Sequence, residues 1–537
     1  MAELRLFGRS AAPGVAKGVV AVLDAARRPR RKAAGTQAEE ALTLQQALSR
    51  ALAEVEALAG KANGEAADML GFQVAMLSDE ELVGPALERV GAGEAAAAAW
   101  EAAMEAEIAG YRNAGDDHFS ARTADLEDIR DRVLGHLEPG AASAVIPDGS
   151  VVVAADLPIS RFLAIDWARG GAILLTQGSP TSHVAMLARV RGVPMVVGLD
   201  GAADAMAGRE ALVDAATGEV VLDPTEATQA VFAAKADREK TASATSAAFR
   251  VRPAVTKDGT RIALNLNASS ADELEGLDPA ICDGIGLVRT EILFHGPGAL
   301  PDEDAQYQAY RRIVTWADGR PVTIRTLDAG GDKPIQGVTV DGESNPFLGL
   351  RGIRLSLRNP ALFQIQLRAL ARAAAQGDLR VMLPMVTVPA ELEAGRKLLG
   401  EALASLAHDN MPAGRPKLGI MIEVPAAAIA VDQFDADFFS IGSNDLTQYV
   451  TAAGRDIGTV ADLADPLNPA VLRLIASVAR HGRETGREVS LCGDAGGDPR
   501  VISALLRAGL RSLSVAPAFV GAAKQAIAAT DLRDDAP

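Results

Sequence analysis

Hydrophobic and polar positions change rhythm several times along this chain of 537 residues. The opening apolar run, Val15 to Leu23, has the length and β-branched content of a strand. From 36 to 138 alanine, leucine and glutamate dominate and apolar residues recur at helical spacing, which predicts a block of long helices. At IPDGSVVVAADL (146–157) the texture becomes a turn followed by a strand. AILLTQG (172–178) and VPMVVGL (193–199) are two more short apolar runs, and DAATGEVVLDP (214–224) holds a further strand with its turn. Val184 to Arg191 has helical patterning, with Ser179, Pro180, Thr181 and Ser182 as the loop and cap before it. The pattern predicts an α/β domain assembled from residues 1–30 and 140–223, with a helical subdomain, 31–139, inserted into it.

The segment 224–253 is rich in Ala, Ser, Thr and Lys, has weak apolar periodicity beyond one helix, and reads as a linker. Beyond it the rhythm is regular. RIALNLN, GIGLVR, VTIRTLD, LRVMLPMV, KLGIMIEV, DFFSIGSND, EVSLCGD and SLSVAP are short apolar strands separated by helical patterning, which over 254–537 is the expectation for a (β/α)8 barrel. The fold class is thus α/β and multi-domain. Polar residues gather at one end of these strands: Asn267, Arg289, Arg325, Glu423, Asn444, Asp445 and Cys492 all lie at or just past a C-terminal strand end. Barrels of this kind carry their active sites at that end.

Composition narrows the function classes. With 48% apolar and 23% charged residues the chain has the make-up of a globular protein, and no apolar run approaches a membrane span. A net charge of −17 argues against nucleic-acid phosphate as the main partner and permits docking of a basic protein. The basic cluster RRPRRK at 27–32 fits a solvated loop better than a nucleic-acid patch in so acidic a chain. Two cysteines and no signal-peptide h-region at the start point to a reducing cytoplasm.

Four groups of residues offer chemistry. In TQGSPTSHVAML (176–187), His183, one of only six histidines, stands at a predicted helix N-terminus, where backbone N–H groups and the helix dipole favour an anion. The alternative is a plain neighbour of the cap. Arg289 and Arg325 suit a phosphorylated or carboxylated ligand, or else pair with local acids such as Glu291 and Asp328. Glu423 and Asp445 offer the hard oxygens that Mg²⁺ takes alongside substrate and water. Cys492, in LCGDAGG, is either a proton-bearing thiol or a small buried hydrophobe.

The motifs GIGLVRTEILF (284–294), IRTLDAGGDK (324–333), NPFLGLRGIR (345–354) and DFFSIGSNDLTQY (437–449), with SAAPGVAKGVV and ADLEDIRDRVLGHL nearer the start, together resemble Enzyme I of the bacterial sugar phosphotransferase system. The resemblance covers nearly the whole sequence. It implies a swivelling phosphohistidine domain and a phosphoenolpyruvate-binding barrel that dimerises. His183 would accept the phosphoryl group of phosphoenolpyruvate and pass it to a histidine of the carrier protein HPr. Arg289, Arg325 and Arg351 would hold the phosphoryl group, Asn444 and Arg455 would grip the substrate with Asp445, and Glu423 and Asp445 would bind Mg²⁺. Cys492 would protonate the methylene carbon of the enolpyruvate.

One position departs from the family. Where it usually has two glycines before x-Thr-Ser-His, the second is here Ser179, followed by Pro180, which pushes Ser179 toward extended geometry. Pyruvate phosphate dikinase and phosphoenolpyruvate synthase share the histidine domain and barrel, but their nucleotide-binding domain has no room in the short helical block, and no Walker-type loop is present. A nitrogen-related Enzyme I would add a sensory domain, whereas this sequence opens at the first strand. A regulatory protein with a dead site would lack some of these side chains, and all are present. In the helical block AMLSDEEL (75–82) sets Met76 and Leu77 beside Glu80 and Glu81, an apolar patch with an acidic rim suited to HPr, unless Met76 and Leu77 belong to the core.

Overall fold

The computed structural model describes residues 3–23, 35–59, 65–113, 117–137, 146–178, 182–199, 203–294, 300–331, 335, 337–340, 343–454, 460 and 463–533. The chain divides into two compact units, 1–241 and 242–537.

The first unit is built on an eight-stranded sheet of order β1-β8-β7-β3-β4-β5-β6-β2. Its strands are β1 (Leu4–Phe7), β2 (Arg9–Ala12), β3 (Val15–Val22), β4 (Val151–Ala154), β5 (Ala172–Leu175), β6 (Met195–Val197), β7 (Glu210–Asp214) and β8 (Glu219–Leu222). The run β3-β4-β5-β6 is parallel, and antiparallel strands flank it on both sides. Strands β1 and β2 escape the sequence pattern because each is four residues long and lies at a sheet edge, where only one neighbour restrains it. The stretch read as one strand with its turn is the second half of a hairpin, β7 to β8. Helices α6 (Ile159–Ala164) and α7 (His183–Arg191) bury Phe162, Val184 and Ala188 in a cluster with Ile173 and Leu175 of β5.

Between β3 and β4 run α1 (Gln37–Ala59), α2 (Glu65–Leu77), α3 (Glu80–Gly91), α4 (Ala96–Asn113) and α5 (Asp117–Leu137). Trp100, Met104 and Ile108 of α4 recur every four residues and meet Leu126, Ile129 and Val133 of α5 in one core. Trp100 is fully buried, and its ring N–H donates to the Arg130 carbonyl at 3.1 Å, so burial leaves no polar atom unpaired there. The Ser160 hydroxyl on α6 donates to buried Asp128 on α5, a polar pin between the helical block and the sheet.

The segment read as a linker is one continuous helix, α8 (Glu226–Phe249). Alanine favours the helix, while the mixture of Ala, Thr and Ser leaves no apolar stripe to announce it. The unit boundary at 241/242 falls within it.

The second unit is a closed parallel barrel of β9 (Ala263–Ala268), β10 (Ile285–Val288), β11 (Val322–Arg325), β12 (Leu379–Leu383), β13 (Lys417–Ile422), β14 (Phe438–Ile441), β15 (Glu488–Leu491) and β16 (Ser512–Val515), with β16 closing onto β9. All eight expected strands are present. Around them lie α9 (Glu303–Trp316), α10 (Ile353–Arg358), α11 (Pro360–Ala373), α12 (Pro389–His408), α13 (Pro425–Ile429), α14 (Ser443–Thr451), α15 (Pro469–Thr485), α16 (Pro499–Arg507) and α17 (Val520–Ala529). Alternation along the strands separates two cores. Ile324, Val381, Ile420, Ile422 and Phe439 pack outward with the helices, whereas Leu287, Met382, Met421, Phe438 and Cys492 form a separate cluster. Because side chains two apart share a face, Glu423 continues the row of Met421 at the C-terminal end of its strand.

Candidate active site

Two places carry the predicted chemistry, one in each unit. In the first, β5 ends at Leu175 and the chain turns at Gly178, whose φ of +92° calls for glycine. Residues 179–181, including Ser179, lie outside the described residues. Helix α7 begins at His183, one residue ahead of the start at Val184 that the sequence predicts. Ser182 is its N-cap, and the hydroxyl accepts from the Ala185 N–H at 3.3 Å. His183 is therefore the first helical residue, beside the unsatisfied N–H groups of a capped turn.

The second place is the barrel mouth. Arg325, the last residue of β11, is buried, and its guanidinium reaches Glu291 and Asp328 at 3.0 Å each. Both pairings are those the sequence offered as the alternative to a ligand. Its Nε is nevertheless buried without a hydrogen-bond partner. Arg351 is fully buried and forks onto two carboxylates, Asp328 at 3.0 and 3.0 Å and Asp445 at 3.1 and 3.1 Å, and reaches the Tyr449 hydroxyl at 3.2 Å. Asp328 thus joins the two arginines. Both guanidinium pKa values are raised, since neighbouring carboxylates outweigh the burial that opposes charge.

Glu423 follows β13 and is 1% exposed. One oxygen accepts the Met385 N–H at 2.7 Å. Met385 holds that N–H with a φ of +57°, a conformation that a methionine adopts only when its surroundings impose it. Burial first, then the charges of Asp445 and Asp328, push the Glu423 carboxyl pKa upward. Asn444 is tied to the neighbouring βα loop: its amide donates to the Asp494 carboxylate at 2.9 Å and its oxygen accepts the Asp494 N–H at 3.0 Å. Cys492 follows β15, 2% exposed, with its pKa pushed up to about 11 by burial, which the Ser440 hydroxyl partly offsets. At neutral pH it is a thiol and keeps its proton.

The structure therefore gathers Arg325, Arg351, Glu423 and Asp445 into one charged cluster, at the same strand ends as Cys492 and Asn444. Arg289 follows β10 and is exposed. Arg455 lies outside the described residues. Asp328, Glu291, Met385 and Tyr449 complete the cluster and were not singled out from sequence as functional groups. Asp328 sits inside IRTLDAGGDK, three residues after Arg325 and just past the strand, and that spacing was the available signal. Leu77 is buried in the helical core and Met76 packs half-buried against it, so the apolar patch is largely core, as its alternative had it. The side chains of Glu80 and Glu81 lie outside the described residues.

The oxygen chemistry of Glu423 and Asp445 suits Mg²⁺. A carboxyl whose pKa is pushed up by burial and by neighbouring acids, as that of Glu423 is, gains from a cation beside it. Among the described residues no group of three or more His, Cys, Asp or Glu side chains could hold a metal alone. Substrate oxygens and water would fill the remaining positions, the arrangement Mg²⁺ commonly takes. Among the described residues no helix is long and apolar enough to cross a membrane.

Comparison with known families matches residues 243–532 to the PEP-binding domain of PEP-utilising enzymes, 146–218 to their mobile domain and 7–122 to their N-terminal domain. A multiphosphoryl transfer protein of Xanthomonas campestris pv. campestris is 36% identical over 97% of this chain, which spans 63% of that protein's length. The phosphoenolpyruvate-protein phosphotransferases of Haloferax volcanii and Enterococcus faecalis are 38% and 35% identical, each over 89% of this chain and 85% of their own length.

Proposed function

The chain belongs to the phosphoenolpyruvate-protein phosphotransferase family of PEP-utilising enzymes, and from that membership we propose that it moves the phosphoryl group of phosphoenolpyruvate to His183 and onward to a histidine of HPr. The observation that carries this reading is the buried Arg325–Asp328–Arg351–Asp445 chain beside Glu423. Cationic forks held in fixed geometry, with carboxylates suited to Mg²⁺, are what a highly charged phosphorylated acid requires.

A ring nitrogen of His183 attacks phosphorus, and the bond from phosphorus to the enol oxygen breaks. Arg289 and Arg325 take up the charge on the phosphoryl oxygens, and Asn444 orients the substrate. The departing enolate accepts the Cys492 proton at its methylene carbon and leaves as pyruvate, and the thiolate regains a proton from water. Mg²⁺, bound at Glu423 and Asp445, supplies charge neutralisation for the substrate's oxygens. Dimerisation through the barrel and life in the cytoplasm belong to the same reading, which the two buried free cysteines suit.

The nucleophile and the substrate groups stand in different units, which supplies the test. A fragment of residues 1–241 should exchange phosphate reversibly with phosphorylated HPr, yet stay unlabelled with phosphoenolpyruvate because Arg325, Arg351 and Glu423 are missing. Labelling of that fragment directly by phosphoenolpyruvate would put the substrate site in the wrong unit.

Two further outcomes are expected of the whole chain. Cys492→Ala should lower kcat for pyruvate formation by about 10²–10⁴-fold and leave KM for phosphoenolpyruvate within about twofold, because a proton donor acts in the transition state. The acid form persists below a pKa of about 11, so raising the pH from about 7 to 9 should cost no activity through this thiol. A raised KM with unchanged kcat would give Cys492 a binding role instead. Excess chelator should stop pyruvate release, and Glu423→Ala should raise the Mg²⁺ concentration for half-maximal rate by at least about tenfold. Full turnover in chelator would remove the metal from the mechanism.

A further inference from the structure

Next to the charged cluster, bonded to the backbone of residues 325–327, lies a second set of buried polar groups with no part in the chemistry above. Gln366 projects from α11 and is 2% exposed. Its oxygen accepts the Leu327 N–H at 3.0 Å. Its amide nitrogen donates to the Tyr310 hydroxyl at 3.1 Å and to the Thr290 hydroxyl at 3.4 Å. Thr290 in turn donates to the Arg325 carbonyl at 3.0 Å, and Tyr310 donates to Gln306 at 3.0 Å. Thr290, Tyr310 and Gln306 are all fully buried.

The backbone that this network holds is the short segment Arg325 to Asp328, where β11 gives way to its loop. The Arg325 carbonyl is fixed by Thr290, the Leu327 N–H by Gln366, and the Asp328 N–H by Glu291 at 3.0 Å. The two ends of the segment carry the guanidinium and the carboxylate that organise the site. A carboxamide is the one side chain that can accept from a backbone N–H with its oxygen while donating to two hydroxyls with its nitrogen. Every one of these groups is out of water, so each bond resists loosening more strongly than an exposed one would.

We propose that Gln366 is a positioning residue for phosphoenolpyruvate: from α11 it sets the path of residues 325–328 and thereby the placement of Arg325 and Asp328. The proposal rests on the reading of the barrel mouth as the substrate site. It extends the machinery to a side chain that touches neither substrate nor metal. Its action runs entirely through backbone, and its chemistry is that of a fixed hydrogen-bonding bracket.

Gln366→Met removes the bracket at similar volume, and Thr290→Val removes the link to the Arg325 carbonyl together with one of the two hydroxyls that Gln366 donates to. In the full-length protein each should raise KM for phosphoenolpyruvate by about 5–50-fold, since small displacements of a binding group are costly. Phosphate exchange between phosphorylated HPr and His183, which does not use the barrel, should stay within about twofold of the parent. Gln366→Glu keeps an acceptor for Leu327 and should recover part of the lost affinity. A purely structural role would lower the melting temperature and the active fraction, and hence kcat, while leaving KM unmoved. An unchanged KM in Thr290→Val together with either Gln366 variant overturns the proposal. A parent protein that releases no pyruvate from phosphoenolpyruvate would instead overturn the reading of the site.

Discussion

His183→Ala will stop acid-labile phosphate from accumulating on the chain in the presence of phosphoenolpyruvate and Mg²⁺, and pyruvate release will fall to background, a loss of at least about 10⁴-fold. The size follows from the role: with the nucleophilic nitrogen removed no group replaces it, and removal of a nucleophile costs more than removal of a supporting group. The fold should survive. His183 occupies the first position of α7, the Ser182 cap is retained, and alanine is the better helix former there. The melting temperature should therefore stay within about 2 °C of the parent, and phosphoenolpyruvate should still protect the barrel from proteolysis, since its binding groups lie between Arg289 and Cys492. Phosphate found by mass spectrometry on another residue, with His183 unmodified, would transfer the role elsewhere.

Arg351→Met should be the most damaging substitution in the barrel. Arg351 is fully buried and satisfies four carboxylate oxygens on Asp328 and Asp445. Without it, two buried carboxylates face Glu423 with Arg325 as the cation left in the cluster. Removing one partner of a buried ion pair costs about 3–5 kcal/mol. For a unit of this size that lowers the melting temperature on the order of 10 °C. Turnover with phosphoenolpyruvate should fall by at least about 10³-fold, because Asp328 also fixes Arg325 and the whole cluster loses its geometry. Arg351→Lys should rescue little, for one ammonium cannot fork onto two carboxylates. Calorimetry together with a pyruvate assay reads both effects, and near-parent values for either would show that the cluster tolerates the loss of its central cation.

Much of this was legible in the sequence for definite reasons. The eight barrel strands announce themselves because strands buried on both faces are short continuous apolar runs, and their polar C-terminal ends mark the rim. Helix α7 and its cap are legible because Ser182 and the apolar spacing behind it are local signals. What escaped was non-local. Strands β1 and β2 are held at edges by partners more than 180 residues away. Helix α8 carries no apolar stripe.

The candidate site divides along the same line. The sequence by itself determined which residues stand at strand ends, since alternation and strand length decide that within a few positions. Only the tertiary structure decided how they are paired. Asp328 bridges two arginines, Asp445 stands 94 residues from the Arg351 that holds it, and Gln366 braces Leu327 from 39 residues away. A hydrogen bond depends on distances of about 3 Å and on direction. No spacing rule along the chain carries that information once barrel closure has brought separate strands together.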